Sequence, residues 1–122
     1  GAAKSLIAAA YFNKLAAERG LDERASFRAV DPEDTVSSTV VDGLISDGVP
    51  VPPGLPTAIG REDVSGATHV FAMGCELPSD TTSSGKASTW SQIPSDQGYG
   101  PMRDAIVIRV RLLLDEIQGH RR

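Results

Sequence analysis

Residues 69–75 read His-Val-Phe-Ala-Met-Gly-Cys, and the unbroken apolar run Val70 to Met73 inside them decides the fold class. A strand with one wet face alternates apolar and polar residues; a strand covered on both faces does not have to. The run therefore reads as a buried parallel strand, entered from the polar turn Arg61-Glu62-Asp63-Val64-Ser65-Gly66. Parallel strands need crossover connections, and crossovers are usually helices.

Such helices are visible on either side. From Lys4 to Arg19, Ile7, Tyr11 and Leu15 recur every four positions with Leu6, Ala10 and Ala16 beside them, and Gly20 closes the stretch. Ala25 to Val30 reads as a short strand running into the turn Asp31-Pro32. A second helix, capped by Asp34 or Thr35, has Val36, Val40, Val41, Leu44 and Ile45 as its core face and stops at Gly48. Residues 50–60 hold four of the eight prolines and form a loop, as do residues 76–88. Lys86 to Trp90 reads as a last short strand. Pro101 opens a third helix with Ile106, Val110, Leu113, Leu114 and Ile117 on one face, and His120, Arg121 and Arg122 suit its C-terminal end. This alternation predicts a three-layer α/β domain over residues 1–122, a parallel sheet flanked by helices.

Composition excludes several functions. Sixteen acidic against 12 basic residues, a net charge of −4, provide no basic field for nucleic acid. No apolar stretch approaches a membrane span, and a single cysteine allows no internal disulfide, which fits a reducing, cytoplasmic setting. No P-loop, HExxH, paired CxxC or GxSxG motif occurs. Asp31-Pro32-Glu33-Asp34 and Arg61-Glu62-Asp63 sit where carboxylates cap turns and helices, and neither His69 nor His120 has ligand-like company, so neither metal nor cofactor is expected.

Taken in order, GAAKSLIAAAYFNKLA (1–16), AVDPEDTVSSTVVDGLISDG (29–48), HVFAMGC (69–75), STW (88–90) and RDAIVIRVRLL (103–113) resemble the low-molecular-weight protein tyrosine phosphatase superfamily. The thioredoxin-coupled arsenate reductases look nearest within it. That family carries a phosphate-binding loop, Cys-x-x-Asn-x-x-Arg-Ser, between its first strand and first helix. Aligned on Ser5, the resemblance puts Lys4 at the Arg position and Gly1 at the Asn position, with the cysteine three residues ahead of Gly1. It implies a domain lacking its first strand, and an oxyanion site made by Gly1, Ala2, Ala3, Lys4 and Ser5. Read locally, Ala-Ala-Lys-Ser is equally a plain helix start. Lys in place of Arg changes the grip from a planar fork to a point charge.

The family's disulfide cascade has a cysteine at the position of Cys75 and a second about seven residues on, where Thr82 stands. Cys75 is thus a weak nucleophile candidate, with a small, partly buried hydrophobe as the other reading. The family's Asp-Pro general acid is matched by Ile93-Pro94, which cannot donate a proton; Asp96 is near but out of place. The resemblance implies an arsenate reductase-like or phosphatase-like protein that acts on or binds phosphate, arsenate or sulfate, inactive in this form. The alternative is a non-catalytic, oligomeric binding or interaction protein keeping only the fold. A missing central strand would expose sheet edges, so a homodimer or larger oligomer is expected.

Overall fold

The structure, a computed structural model, describes residues 2–27, 38–51, 70–73, 87–90, 93–94 and 97–120. In chain order these form α1 (Ala2–Glu18), α2 (Ser38–Ser46), β1 (Val70–Met73), β2 (Ala87–Trp90) and α3 (Tyr99–His120). The apolar run at 70–73 is a strand, and it pairs in parallel with β2 in the register Val70↔Ala87 to Met73↔Trp90. Among the described residues this parallel pair is the sheet. The Phe71 and Trp90 rings meet across the pair, out of direct register, with centroids 4.7 Å apart and planes tilted by 39°. That tilted approach suits the ring quadrupoles.

Helix α1 is buried on more than one side. Leu6 through Ala10 are five consecutive buried residues, continued by Phe12 and Ala16, because the helix touches α3, α2 and β1. Its many alanines let those neighbours come close. Against it α3 presents Met102, Ile106, Val110 and Leu114, a stripe at four-residue spacing; the last three are at most 1% exposed. Tyr11 and Tyr99 converge on Asp47, while Arg19 bonds Asp115 (2.8 Å) and Gln118 (2.9 Å). Residues advancing along α1 therefore meet residues advancing along α3, and the two helices run in the same general sense. Helices joining parallel strands are expected to do so.

Both glycine stops act as expected. At Gly20 (φ 74°) the N–H of Leu21 bonds the carbonyl of Ala16 (2.9 Å) and that of Gly20 bonds Ala17 (3.1 Å). The same pair recurs at Gly48 (φ 74°), where Val49 bonds Leu44 (2.9 Å) and Gly48 bonds Ile45 (3.0 Å). Each is a Schellman closure, and in each the residue after glycine is buried as its apolar clip.

Two expectations need correction. Apolar spacing puts Ile45 on the core face of the second helix, yet it is 63% exposed. Val40 and Leu44 alone are buried on α2, with Val41 packed at the edge, so a stripe this narrow ends before Ile45. Residues 25–27 of the expected strand 25–30 are not in a strand. The Asn13 side chain accepts the Ala25 N–H (2.7 Å) and donates to its carbonyl (3.0 Å), taking the groups a ladder would use. Residues 28–30, the Asp34 and Thr35 caps and Val36 lie outside the described residues.

Candidate functional site

Of the expected oxyanion residues, Ala2 and Ala3 lie in the first turn of α1, Lys4 and Ser5 follow half-buried, and Gly1 lies outside the described residues. No acidic residue occupies that first turn. A helix leaves its first four N–H groups without intrahelical acceptors, and over 17 residues its dipole places partial positive charge at this end. The turn is seated on the core, since Leu6 and Ile7, immediately after, are at most 1% exposed. Among the described residues Lys4 makes no ion pair, whereas Lys14, Arg19 and Arg103 are each tied to a carboxylate. Backbone amides, Ser5 and a Lys4 that makes no ion pair among the described residues thus share the first turns of a firmly packed helix. Such a set can hold a compact anion.

Cys75, Thr82 and Asp96 lie outside the described residues. Ile93, the residue in the general-acid position, is 8% exposed and belongs to the core cluster, with Pro94 half-buried beside it. That position serves packing and supplies no proton. Among the described residues no group of three or more His, Cys, Asp or Glu is placed to hold a metal ion, and no helix is long and apolar enough to cross a membrane.

The structure also brings together a polar cluster that sequence reasoning missed. Asp47, just past the end of α2, accepts the hydroxyls of Tyr11 (2.6 Å) and Tyr99 (2.9 Å) on Oδ2. Arg103 Nη1 reaches both carboxylate oxygens, at 3.2 and 3.1 Å, and its guanidinium lies 5.5 Å from the centroid of the Tyr99 ring. Arg103 also pairs with Asp104 at 3.0 Å. The Tyr11 hydrogen bond, foremost, holds Asp47 below its ordinary carboxylate value, with Tyr99 and Arg103 acting in the same direction against some desolvation. Burial, then the Asp47 carboxylate, pushes both tyrosines upward. Arg103 is driven up by its bonds to Asp47 and Asp104.

Asp47, Tyr11, Tyr99 and Arg103 are therefore each held more firmly in the charge state they already have at neutral pH. General acid–base catalysis needs the opposite, a pKa brought toward the working pH. The cluster ties three helices together and is no proton-transfer centre. Two signals in the sequence pointed to it: a carboxylate at a helix C-terminal end, against the dipole, and Gly43 in the interior of α2. An ideal Cβ on Gly43 would lie 2.6 to 2.7 Å from three atoms of the Tyr99 ring, so glycine admits that ring.

No protein-family model and no curated protein matches the sequence. Solved structures do match. YfkJ from Bacillus subtilis superimposes with a TM-score of 0.85 at 16% identity, over 98% of this chain and 89% of that one. The Corynebacterium glutamicum thioredoxin-dependent arsenate reductase gives 0.77 at 20% identity, over 98% of this chain and 58% of that one. A low molecular weight protein tyrosine phosphatase from T. tengcongensis gives 0.74 at 18% identity, over 93% and 90%. Likeness at these identities is a likeness of backbone. The resemblance first carried by the order of five sequence segments is thus a shared architecture: this chain has the α/β fold of the low molecular weight protein tyrosine phosphatases and the thioredoxin-dependent arsenate reductases.

Proposed function

We propose that the chain binds a tetrahedral oxyanion, phosphate, arsenate or sulfate, at the N-terminal end of α1. The backbone amides of Gly1, Ala2 and Ala3 converge on the anion, the Ser5 hydroxyl adds a donor, and the Lys4 ammonium balances its charge. The observation that carries the reading is Lys4 itself, half-buried beside the first turn of a helix anchored in the core, with no ion pair among the described residues. The fold shared with an arsenate reductase and a phosphatase supports the same choice of ligand. Around the site the reading places a three-layer domain, its parallel sheet covered by helices on both faces.

With Lys4 at the arginine position and Ile93 at the general-acid position, the chain's own residues favour binding over turnover. A lysine point charge neutralises an anion but does not clamp two equatorial oxygens as a guanidinium fork does. Cys75, the single cysteine, stays a weak candidate for thiol chemistry. Thermal melts in phosphate, arsenate or sulfate test the proposal. At ten times Kd the folded state gains about 1.4 kcal/mol, a rise of a few degrees in Tm that chloride at equal ionic strength does not reproduce. An equal rise in Lys4→Ala, or none at tens of millimolar, would contradict it.

A second reading, a homo-oligomeric interaction protein, is favoured by the exposure of Ile45 (63%), Ile108 (61%) and Leu112 (56%). Light scattering at micromolar concentration decides it: a monomer ends the idea.

A further inference from the structure

Among the described residues, helix α2 is the least anchored of the three helices. It has nine residues and buries only Val40 and Leu44, while Ser38, Thr39, Asp42, Ile45 and Ser46 are exposed. Isolated helices of this length are marginal in water. Its C-terminal end holds the Asp47 carboxylate, where the last carbonyls already concentrate negative charge. Left alone there, that carboxylate would weaken the helix.

It is not left alone. Tyr11 of α1 and Tyr99 of α3 both donate to Oδ2, and Arg103 of α3 spans both oxygens. Tyr99 is also the first residue of α3, and its ring is seated against the bare backbone of Gly43. We propose that Asp47 is an ionisation-operated latch: its carboxylate fastens the end of α2 to α1 and α3, and neutralising it releases α2 as a unit while the α1–α3 pair stays folded.

The chemistry follows from the acceptor count. An ionised carboxylate only accepts, which suits three donors from two helices; once protonated it carries a donor of its own and no charge, so at least one of these bonds must give way. Among the described residues the charged and titratable groups that meet it are Tyr11 from α1 and Tyr99 and Arg103 from α3, with Asp104 bonded to Arg103, while Asp42 on α2 itself is exposed. Once Asp47 is neutral, Arg103 loses the charge attraction that holds it there and keeps Asp104 as its other bonded neighbour. The α1–α3 pair rests mainly on apolar packing, with Leu6, Ile7, Ile106, Val110 and Leu114 at 1% exposure or less, and where Arg19 meets Asp115 the arginine also has the uncharged Gln118 as a partner. Local opening of the weakest unit ahead of the rest is how native proteins commonly respond to such a loss.

Amide hydrogen exchange, expressed as protection factors, tests the latch. In Asp47→Asn at pH 7, residues 38–49 should exchange about tenfold faster or more, with the buried stretches of α1 and α3 unchanged. The wild type should move toward that pattern as pH falls through the lowered pKa of Asp47, below 3.8, and Asp47→Asn should show no such change in α2 over the same range. Tyr99→Phe, which keeps the ring and removes one donor, should show the same pattern to a smaller degree; it also serves if Asp47→Asn fails to fold. Equal α2 protection in wild type and variants, or loss of protection spread evenly over all three helices, would overturn the proposal.

Discussion

Replacing Gly43 by alanine should destabilise this protein, although the same change in an open helix interior stabilises. Alanine normally gains about 1 kcal/mol over glycine in a helix. Here its Cβ would stand 2.6 Å from Cε2 and 2.7 Å from Cδ2 and Cζ of Tyr99, so the ring must retreat by roughly 1 Å to reach ordinary carbon contact. A retreat of that size breaks the 2.9 Å bond from the Tyr99 hydroxyl to Asp47, a hydrogen bond to a charged group of about 1.5 kcal/mol or more. Overpacking adds about 1 to 3 kcal/mol. The net expectation for Gly43→Ala is a loss of about 2 to 3 kcal/mol. In a Tyr99→Ala background no ring stands in the way, and the same substitution should regain about 1 kcal/mol. Urea denaturation of the four proteins of the cycle, compared at equal m-value, gives both numbers. A Gly43→Ala protein as stable as wild type, or the same sign of effect in both backgrounds, would refute the reasoning.

Leu114→Ala removes a fully buried side chain between α3 and α1 and should cost about 2 to 5 kcal/mol in the same assay. Stability should be flat with pH between about 5 and 9 as far as the Asp47 cluster is concerned. Asp47 has a folded pKa below its ordinary 3.8, so its contribution is present above that value and is lost as pH falls through the folded one. Tyr11 and Tyr99 are raised above 10.0, so theirs is present below 10.0 and is lost as pH rises through the folded values. Equilibrium unfolding across pH should therefore show the acid loss shrink in Asp47→Asn and the alkaline loss shrink in Tyr11→Phe and Tyr99→Phe.

Local chemistry was legible in the sequence. Gly20 and Gly48 end their helices because both adopt positive φ, which glycine reaches without a Cβ clash. The apolar run at Val70–Met73 needed no alternation to be a strand, and the four-residue spacing of Ile106, Val110 and Leu114 marked the stripe that α3 buries. Lys4 and Ser5 as an anion site came from segment order, since Ala-Ala-Lys-Ser alone reads as a helix start. What stayed hidden depends on partners far along the chain. Tyr11 reads as one more core residue because its bond to Asp47 spans 36 positions, and the Tyr99 and Arg103 bonds span 52 and 56. Asn13, which the helical spacing puts on the solvent face, instead closes over Ala25. Ile45 is exposed against expectation because a hydrophobic stripe fixes a face without stating how wide the neighbour covering it is.

The central claim is that an anion sits at the start of α1. Titrating inorganic phosphate into isotope-labelled protein and following backbone amides by NMR reads that place directly. Saturable shifts of the amides from Ala2 to Leu6, abolished in Lys4→Ala and absent with chloride, are predicted. Shifts that do not saturate, that arise elsewhere in the molecule, or that persist unchanged in Lys4→Ala would contradict the account.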